Sequence, residues 1–345
     1  MLVGIAKMAA ESPRLEAKRT VEYFELPARS IVNRVENLRF FRWAINPYRG
    51  CEFGCHYCYA RYTHEFMELR ETREFEDKIF AKGAVGPLLR RDLAKVPRGD
   101  VIAIGTATDP YQPAERRFGR TREILEVFAE DRGRTLSITT KSDLAARDID
   151  VLRRIGERNV VSVTMTVTTV DTELARALEP RAPRPDLRLA ALDQLARAGI
   201  AAGVFSAPVM PLINDSERQL EAVARAAKSA GATFWGANVL FLSSSAQKAF
   251  FPFLEERYPR LVKRYRDWFS RAMYLRGGYP EQIRARVAAL RARVGLLPER
   301  IGHAPQAEEQ LLLFPEPTEA APTFPTATAE RFRAPGLPRR VGTCA

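Results

Sequence analysis

The chain has 345 residues, of which 46% are hydrophobic, so it is long enough for one large domain or two small ones with ordinary cores. Its formal net charge is +12, and arginine outnumbers lysine by 45 to 9. That excess attracts nucleic acid or another polyanion, although a GC-rich genome produces the same arginine enrichment. No apolar run approaches the ~18 residues of a membrane span, and the start of the chain is too weakly apolar for a signal peptide. With only four cysteines, the chain is expected in a reducing cytoplasm.

Composition divides the chain into four segments. Residues 1–37 form a polar extension that we expect to pack on the core, and residues 38–242 form that core. Residues 243–304 have helical patterns that are rich in aromatic residues. Residues 305–345 are rich in Pro, Ala, Thr and Glu, and they are predicted to lack a fold of their own despite an apolar patch at 311–314.

Short apolar runs alternate with helical patterns along the core. Each run is apolar or β-branched, as a buried parallel strand should be, and the runs recur at intervals of roughly 25 to 40 residues. The alternation predicts an α/β fold with a parallel sheet or barrel, and six strands are too few for a full eight-stranded barrel. The predicted strands are 40–45, 101–105, 136–139, 160–167, 200–205 and 234–241, and the predicted helices are 85–95, 121–129, 149–156, 187–198 and 217–230.

Three of the four cysteines, Cys51, Cys55 and Cys58, lie within one stretch of eight residues. Gly50 precedes the first of them, and Gly54 allows the backbone to bend between them. Three thiolates from one loop can bind a [4Fe–4S] cluster and leave one iron open for chemistry. Cys51, Cys55 and Cys58 are therefore the predicted metal ligands.

Two other interpretations of the cysteines are weaker. A disulfide does not suit three clustered cysteines in a chain without a secretory signal. A structural zinc site requires a fourth ligand, and zinc usually takes two separated pairs. Only His56, His64 and His303 are available to complete such a site, and His56 would have to turn inward from between two ligands.

The spacing C-x3-C-x-aromatic-C, with Tyr57 as the aromatic residue, resembles the signature of the radical S-adenosylmethionine (SAM) superfamily. The sequence His-Tyr-Cys-Tyr-Ala at 56–60 is similar to the spore photoproduct lyase-related branch. The chain resembles an uncharacterised member of that branch, not the lesion-repair enzyme itself. Further matching segments within residues 38–242 are 105–115, 140–142 with 147–148, 178–181, and 207–211 with 214–215.

The resemblance implies a partial (β/α)6 TIM-type barrel with a helical C-terminal extension. It also implies two cofactors, a [4Fe–4S] cluster and SAM, and a reducing partner such as a flavodoxin or ferredoxin. In this superfamily the reduced cluster passes one electron to SAM, and the resulting 5′-deoxyadenosyl radical abstracts hydrogen from a substrate. The reaction class, lyase-like or transferase-like, stays open, and so does the oligomeric state.

Polar motifs follow several predicted strands, where parallel barrels gather their reactive groups. Thr106 and Thr108 follow the second strand, and Lys141 follows the third. By resemblance, the two threonines face the methionine or ribose end of SAM, and Lys141 meets its carboxylate or a ribose hydroxyl.

Four more residues are predicted SAM contacts by the same resemblance. Tyr57 and Ala207 are expected to reach the adenine through their backbones. Ser162 or Thr164, on the fourth predicted strand, adds a polar contact.

One position departs from the branch. The lesion-repairing member uses a cysteine just after the second strand as a hydrogen donor, and this chain has Thr106 there. A threonine O–H bond is far too strong for that role, so spore photoproduct repair by the same route is not expected. Cys344 in the tail, or a tyrosine such as Tyr59 or Tyr111, is an alternative radical carrier.

The leading hypothesis is a radical SAM enzyme whose substrate is a nucleic acid or nucleotide. Aromatic and basic residues between 250 and 269 predict either packing on the barrel or a stacking surface for bases. One alternative is a radical SAM enzyme that acts on a peptide or small metabolite. The other is a zinc-stabilised nucleic-acid-binding protein without catalysis.

Overall fold

Two β-sheets organise the chain in the computed structural model, which describes residues 2–18, 20–36 and 40–298. The strands are β1 Arg14–Lys18, β2 Val21–Leu26, β3 Val32–Arg34, β4 Trp43–Ile45, β5 Tyr48–Arg49, β6 Lys78–Lys82, β7 Val101–Ile104, β8 Thr135–Thr140, β9 Val160–Thr166, β10 Ala201–Val209 and β11 Phe234–Val239. The helices are α1 Gly4–Ala10, α2 Tyr62–Glu65, α3 Glu74–Asp77, α4 Val85–Leu93, α5 Glu115–Phe118, α6 Arg120–Glu130, α7 Ile149–Gly156, α8 Thr172–Leu178, α9 Pro185–Arg197, α10 Glu217–Ser229, α11 Ser244–Arg257, α12 Val262–Phe269 and α13 Tyr279–Val294, with 3₁₀ turns at Tyr59–Arg61, Asp143–Asp148 and Pro259–Leu261.

The larger sheet contains the predicted parallel strands. Its order is β11-β10-β9-β8-β7-β4-β3. Six of these strands, β4, β7, β8, β9, β10 and β11, pair in parallel and in chain order. The seventh strand, β3, pairs antiparallel to β4 at one edge. All six predicted strands are present, and the predicted partial (β/α)6 barrel is confirmed as an open, mixed α/β architecture.

Helices cross between successive parallel strands and bury their apolar faces on the sheet. Helix α10 is representative, because Leu220, Val223 and Ala227 recur at helical spacing and are all buried. Ser216 begins this helix with a capping box to Gln219, which contributes about 1 kcal/mol to its stability. The predicted helices lie within a few residues of α4, α6, α7, α9 and α10.

The smaller sheet was not predicted. Its order is β1-β2-β6-β5, with β2 and β6 parallel and the other two pairs antiparallel. Part of the predicted N-terminal extension therefore pairs with strands that flank the cysteine loop, and β3 joins the larger sheet. The boundary between residues 37 and 38 stays a prediction.

Helices α11, α12 and α13 follow the last parallel strand, in agreement with the predicted helical extension. Helix α13 packs on α10 and β11. Within the described residues no helix combines the length and apolarity that a membrane crossing requires. His303, Cys344 and the patch at 311–314 lie outside the described residues.

Candidate functional site

The loop that holds the three cysteines begins directly after β5. Gly50 has a φ of +80°, and a Cβ atom there would lie 2.8 Å from the carbonyl oxygens of Phe75 and Lys78. Only glycine fits this position without moving the backbone of a neighbouring segment. The Cys51 amide donates to the Phe75 carbonyl at 2.9 Å, and the Cys58 amide donates to the Cys55 carbonyl at 3.2 Å. The backbone of the loop is therefore held at both ends.

Two buried side chains, the hydroxyl of Thr108 and the carboxamide of Gln112, tie the loop to the end of β7. The Thr108 hydroxyl donates to the Gly50 carbonyl at 2.6 Å. The Gln112 side chain donates to the same carbonyl at 3.0 Å and accepts from the Glu52 amide at 2.9 Å. Sequence reasoning missed Gln112, and it assigned Thr108 to SAM. The structure shows that Thr108 supports the loop, and its contact with SAM stays a prediction.

The three thiols fit the requirements of an iron–sulfur ligand set. None of them is in a disulfide, and Cys51 and Cys55 are buried. Burial raises the pKa of Cys51 well above its usual value and that of Cys55 to about 12, so both are thiols until a metal cation displaces the protons. Within the described residues, no three Cys, His, Asp or Glu side chains are arranged to bind a single metal ion. Thiolates that bind different irons of a cluster stand farther apart than those that share one zinc.

The described histidines do not complete a zinc site. The His56 ring stacks on Phe253, with ring centroids 5.0 Å apart. His64 lies behind the loop, where its Nε2 is 3.1 Å from the Lys78 carbonyl oxygen. Both rings are thus engaged with other groups, and the third predicted candidate, His303, lies outside the described residues.

Asp109 joins the ends of β7 and β8. Its carboxylate accepts from the Tyr111 amide at 2.9 Å, the Thr140 hydroxyl at 2.6 Å and the Lys141 amide at 2.7 Å. Gly105, with a φ of +93°, permits the preceding turn, because a Cβ there would lie 2.6 Å from the Thr139 carbonyl oxygen. Asp109 therefore sets where the backbone of Lys141 leaves its strand.

Lys141 stands beside the cysteine loop, as predicted from the order of the strands. Its Nζ lies 5.6 Å from the centre of the Tyr57 ring, a cation–π contact. Burial lowers the pKa of Lys141, but the neighbouring Cys55 and Glu179 outweigh it and leave the pKa above its ordinary value. No carboxylate of the described residues lies within 4.0 Å of this ammonium group, so it is available to a ligand's negative charge.

A buried ion pair supports Tyr57 from behind. The Tyr57 hydroxyl donates to Glu179, which also accepts from the Thr168 hydroxyl at 2.8 Å and pairs with Arg188. Arg188 and Glu179 are each only 1% exposed, and the Arg188 guanidinium also donates to the Thr166 carbonyl at 3.1 Å. Glu179 lies in the segment 178–181 that matched the resembled branch, whereas no sequence signal indicated Arg188.

Thr106, which stands where the lesion-repairing member of the resembled branch has its hydrogen-donor cysteine, contacts two residues of the site. The Tyr59 hydroxyl donates to the Thr106 carbonyl. The Thr106 hydroxyl accepts from the Asn46 side chain at 3.0 Å, and Asn46 also accepts from the Ala107 amide at 2.8 Å. The structure therefore brings Tyr59 to Thr106, and Tyr111 is buried near Asp109.

The remaining predicted SAM contacts lie on β9 and β10. Ser162 and Thr164 are two residues apart on β9, so their side chains point to the same face of the sheet. The Ser162 hydroxyl donates to the Leu136 carbonyl at 3.4 Å, and Thr164 is buried. Ala207 lies inside β10, not after it as predicted, and its carbonyl accepts from the Thr168 hydroxyl at 3.4 Å. The roles of these residues stay predictions.

Comparisons with known proteins agree with this geometry. The family model described as the radical SAM superfamily matches residues 45–224. An uncharacterised protein of Mycobacterium tuberculosis is 35% identical over 295 residues, which cover 85% of this chain and 86% of that protein. An uncharacterised protein of Methanocaldococcus jannaschii is 28% identical over 242 residues, which cover 69% of this chain and 85% of that protein.

Solved structures show the same fold. Spore photoproduct lyase complexed with dinucleoside spore photoproduct superimposes with a TM-score of 0.61 and 16% identity, covering 79% of each chain. A second structure of that lyase, with bound AdoMet, superimposes with a TM-score of 0.58, covering 76% of this chain and 78% of the other. From the family model, the relatives and the position of the cysteine loop, we conclude that this chain belongs to the radical SAM superfamily and is an enzyme of that superfamily, which implies SAM and an iron–sulfur cluster as its cofactors.

Proposed function

We propose that the chain binds a [4Fe–4S] cluster through Cys51, Cys55 and Cys58 and uses SAM to abstract hydrogen from a nucleic acid or nucleotide. The observation that carries the proposal is three free cysteines on one loop, next to an ammonium group without a carboxylate partner among the described residues. When bound, the two cofactors supply reductive cleavage of the carbon–sulfur bond of SAM and a 5′-deoxyadenosyl radical.

The chain's own residues bind SAM and orient it. Lys141 offers a positive charge to the carboxylate of SAM, and Asp109 holds the backbone from which it projects. The buried Glu179–Arg188 pair holds the side chain of Tyr57, which is part of the cysteine loop, in place. Because Tyr57, Glu179 and Arg188 are buried, they exclude water from one side of the site, which strengthens each electrostatic contact inside it.

Three features support a nucleic acid or nucleotide substrate. The net charge is +12, and the spore photoproduct lyase of the same fold has been solved with a dinucleoside spore photoproduct. On the C-terminal helices, Arg264 lies over the Trp268 ring at 6.0 Å, and Trp268 is partly exposed. Most other aromatic residues of these helices, such as Phe250, Tyr265 and Phe269, are buried against the core. The stacking surface is thus smaller than the sequence pattern suggested.

Thr106 argues against lesion repair by the route of the resembled lyase. Its hydroxyl is held by Asn46 at 3.0 Å, and an O–H group does not donate a hydrogen atom as a thiol does. Tyr59, whose hydroxyl donates to the Thr106 carbonyl, is a group at that position that a radical can oxidise. The proposed reaction is therefore hydrogen abstraction with a different final step.

The cofactor proposal is tested by anaerobic reconstitution. The wild type is loaded with iron and sulfide, reduced with dithionite and incubated with SAM, and 5′-deoxyadenosine is measured. We expect cleavage by the wild type and by the matched control C344A, and none by C55A. A colourless protein with one tightly bound zinc, or cleavage that survives C55A, would refute the ligand assignment.

The substrate class and the electron donor need separate measurements. Binding to DNA and RNA is measured at several salt concentrations, and we expect affinity to fall as salt rises. Absence of binding at low salt would favour a peptide or small metabolite. Replacing dithionite with a flavodoxin or ferredoxin and its reductase tests the proposed reducing partner by the rate of 5′-deoxyadenosine formation.

A further inference from the structure

Two basic side chains lie on the same face of the smaller sheet. Arg49 on β5 pairs with Phe80 on β6, and Lys82 lies two residues beyond Phe80 on the same strand. Side chains alternate along a strand, so Arg49, Phe80 and Lys82 all project from one face. Burial, together with the charge of Arg49, lowers the pKa of Lys82 to about 7.

Among the described residues, neither cation forms an ion pair with a carboxylate. Lys82 is 7% exposed, and the Nε of the half-buried Arg49 is buried without a hydrogen-bond partner in the described residues. On the neighbouring strand, Glu25 pairs with Ala81, so its side chain projects from the opposite face, where it lies 3.9 Å from Arg120. A buried charge without a partner is costly, and two like charges side by side are more so. A negatively charged group that binds from outside the chain and neutralises the two cations would explain this arrangement.

The pair lies next to the rim of the barrel. The Lys82 amide donates to the Pro47 carbonyl at 3.1 Å, and the adjacent Asn46 binds Thr106 at the end of β7. The backbone that carries the two cations therefore adjoins the strand end at which the proposed reaction takes place.

We infer that Arg49 and Lys82 form an anion-binding site that takes a phosphate group of the substrate. The guanidinium supplies a planar fork of donors and the ammonium a compact charge, a combination that matches the several oxygens of a phosphate. This inference rests on the proposed nucleic acid or nucleotide substrate. It requires no covalent step, and it adds a subsite beside the SAM-binding residues.

The test measures anion binding to the anaerobically reconstituted protein by isothermal titration at constant ionic strength. The probes are inorganic phosphate, a dinucleotide with one phosphodiester and, as a carboxylate control, acetate. K82M removes the charge but keeps the stem. K78M is the matched control, because Lys78 projects from the same face of β6 but is more exposed and pairs with Glu74 at 2.8 Å.

We expect the wild type and K78M to bind phosphate or the dinucleotide with the same affinity, and K82M to bind at least tenfold more weakly. Binding of the dinucleotide but not of free phosphate identifies a nucleic-acid phosphodiester as the source, and binding of both identifies a general phosphate site. No binding, equal binding by K82M and K78M, or equal binding of acetate would overturn the inference.

Thermal melting separates a binding defect from a folding defect. Without phosphate, K82M should melt at a higher temperature than the wild type, because the uncompensated charge is gone. Added phosphate should raise the melting temperature of the wild type and not that of K82M. If K82M melts lower and phosphate stabilises both proteins equally, the inference is wrong. Neither readout depends on SAM cleavage, so failure of the proposed reaction would be recognised separately.

Discussion

Replacing Arg188 with methionine should strongly destabilise the protein. Arg188 and Glu179 are each 1% exposed, and R188M would leave the Glu179 carboxylate buried without its cation. It would also remove the donors to the carbonyl groups of Pro183 and Thr166. Loss of one partner of a buried ion pair costs about 3–5 kcal/mol in the free energy of unfolding. With a slope of about 3 kcal/mol per M, the urea midpoint should fall by roughly 1 to 1.7 M.

The measurement is equilibrium unfolding in urea under anaerobic, reducing conditions, followed by far-ultraviolet circular dichroism. The matched control is R184M, because Arg184 precedes the same helix but forms an exposed pair with Asp186, and its midpoint should not change measurably. A double variant, E179M with R188M, should be more stable than the sum of the single changes predicts, since both charges are removed together. A midpoint for R188M that equals that of R184M, or additive single changes, would refute the reasoning.

Three further predictions concern the loop, the SAM site and pH. G50A should lower the iron content after reconstitution, because its Cβ would collide with two carbonyl oxygens. The control G199A should keep the iron, since Gly199 has a similar φ of +79° but open space around it. Equal iron contents in the two variants would contradict this account. K141M should weaken SAM binding roughly 10- to 100-fold in equilibrium dialysis, the value of a charge-assisted hydrogen bond, and unchanged affinity would exclude the contact. Burial lowers the pKa of His64 to about 4, so the unfolded chain takes up a proton first as the pH falls. Stability should therefore be complete above pH ~6.5 and decline by about 3 kcal/mol towards pH 4, as measured by urea midpoints, and H64F should lack this part of the decline. An equal decline in H64F would assign it to other groups.

Local pattern was sufficient for the parallel strands and for the cysteine loop. Each parallel strand of the larger sheet is a short run of apolar or β-branched residues, and such runs are buried whatever their partners are. The smaller sheet was missed for the opposite reason. Strand β2 finds its partner β6 more than fifty residues later, and β6 carries Lys82, which does not match a buried strand pattern. Pairing over such a distance is decided by packing, not by local composition.

The residues of the site also divide into those that the sequence predicted and those that only the structure revealed. The order of the strands predicted that the cysteine loop and Lys141 would lie at the same rim, because parallel strands end at one rim. The sequence did not reveal that Thr108 holds the loop, that Arg188 pairs with Glu179 or that Lys82 is buried beside Arg49.

By itself, then, the sequence determined the cysteine loop, the parallel strands and the family of the enzyme. Only the tertiary structure decided which polar residues face that loop and which ones brace it. It also decided which cations have no carboxylate partner in the described part of the chain. The physical reason is that spacing along the chain specifies local geometry, whereas burial and the partner of a charge depend on segments brought together from distant positions. The proposed function follows from the spacing of residues along the chain, and the proposed phosphate site follows from burial and charge in the folded structure.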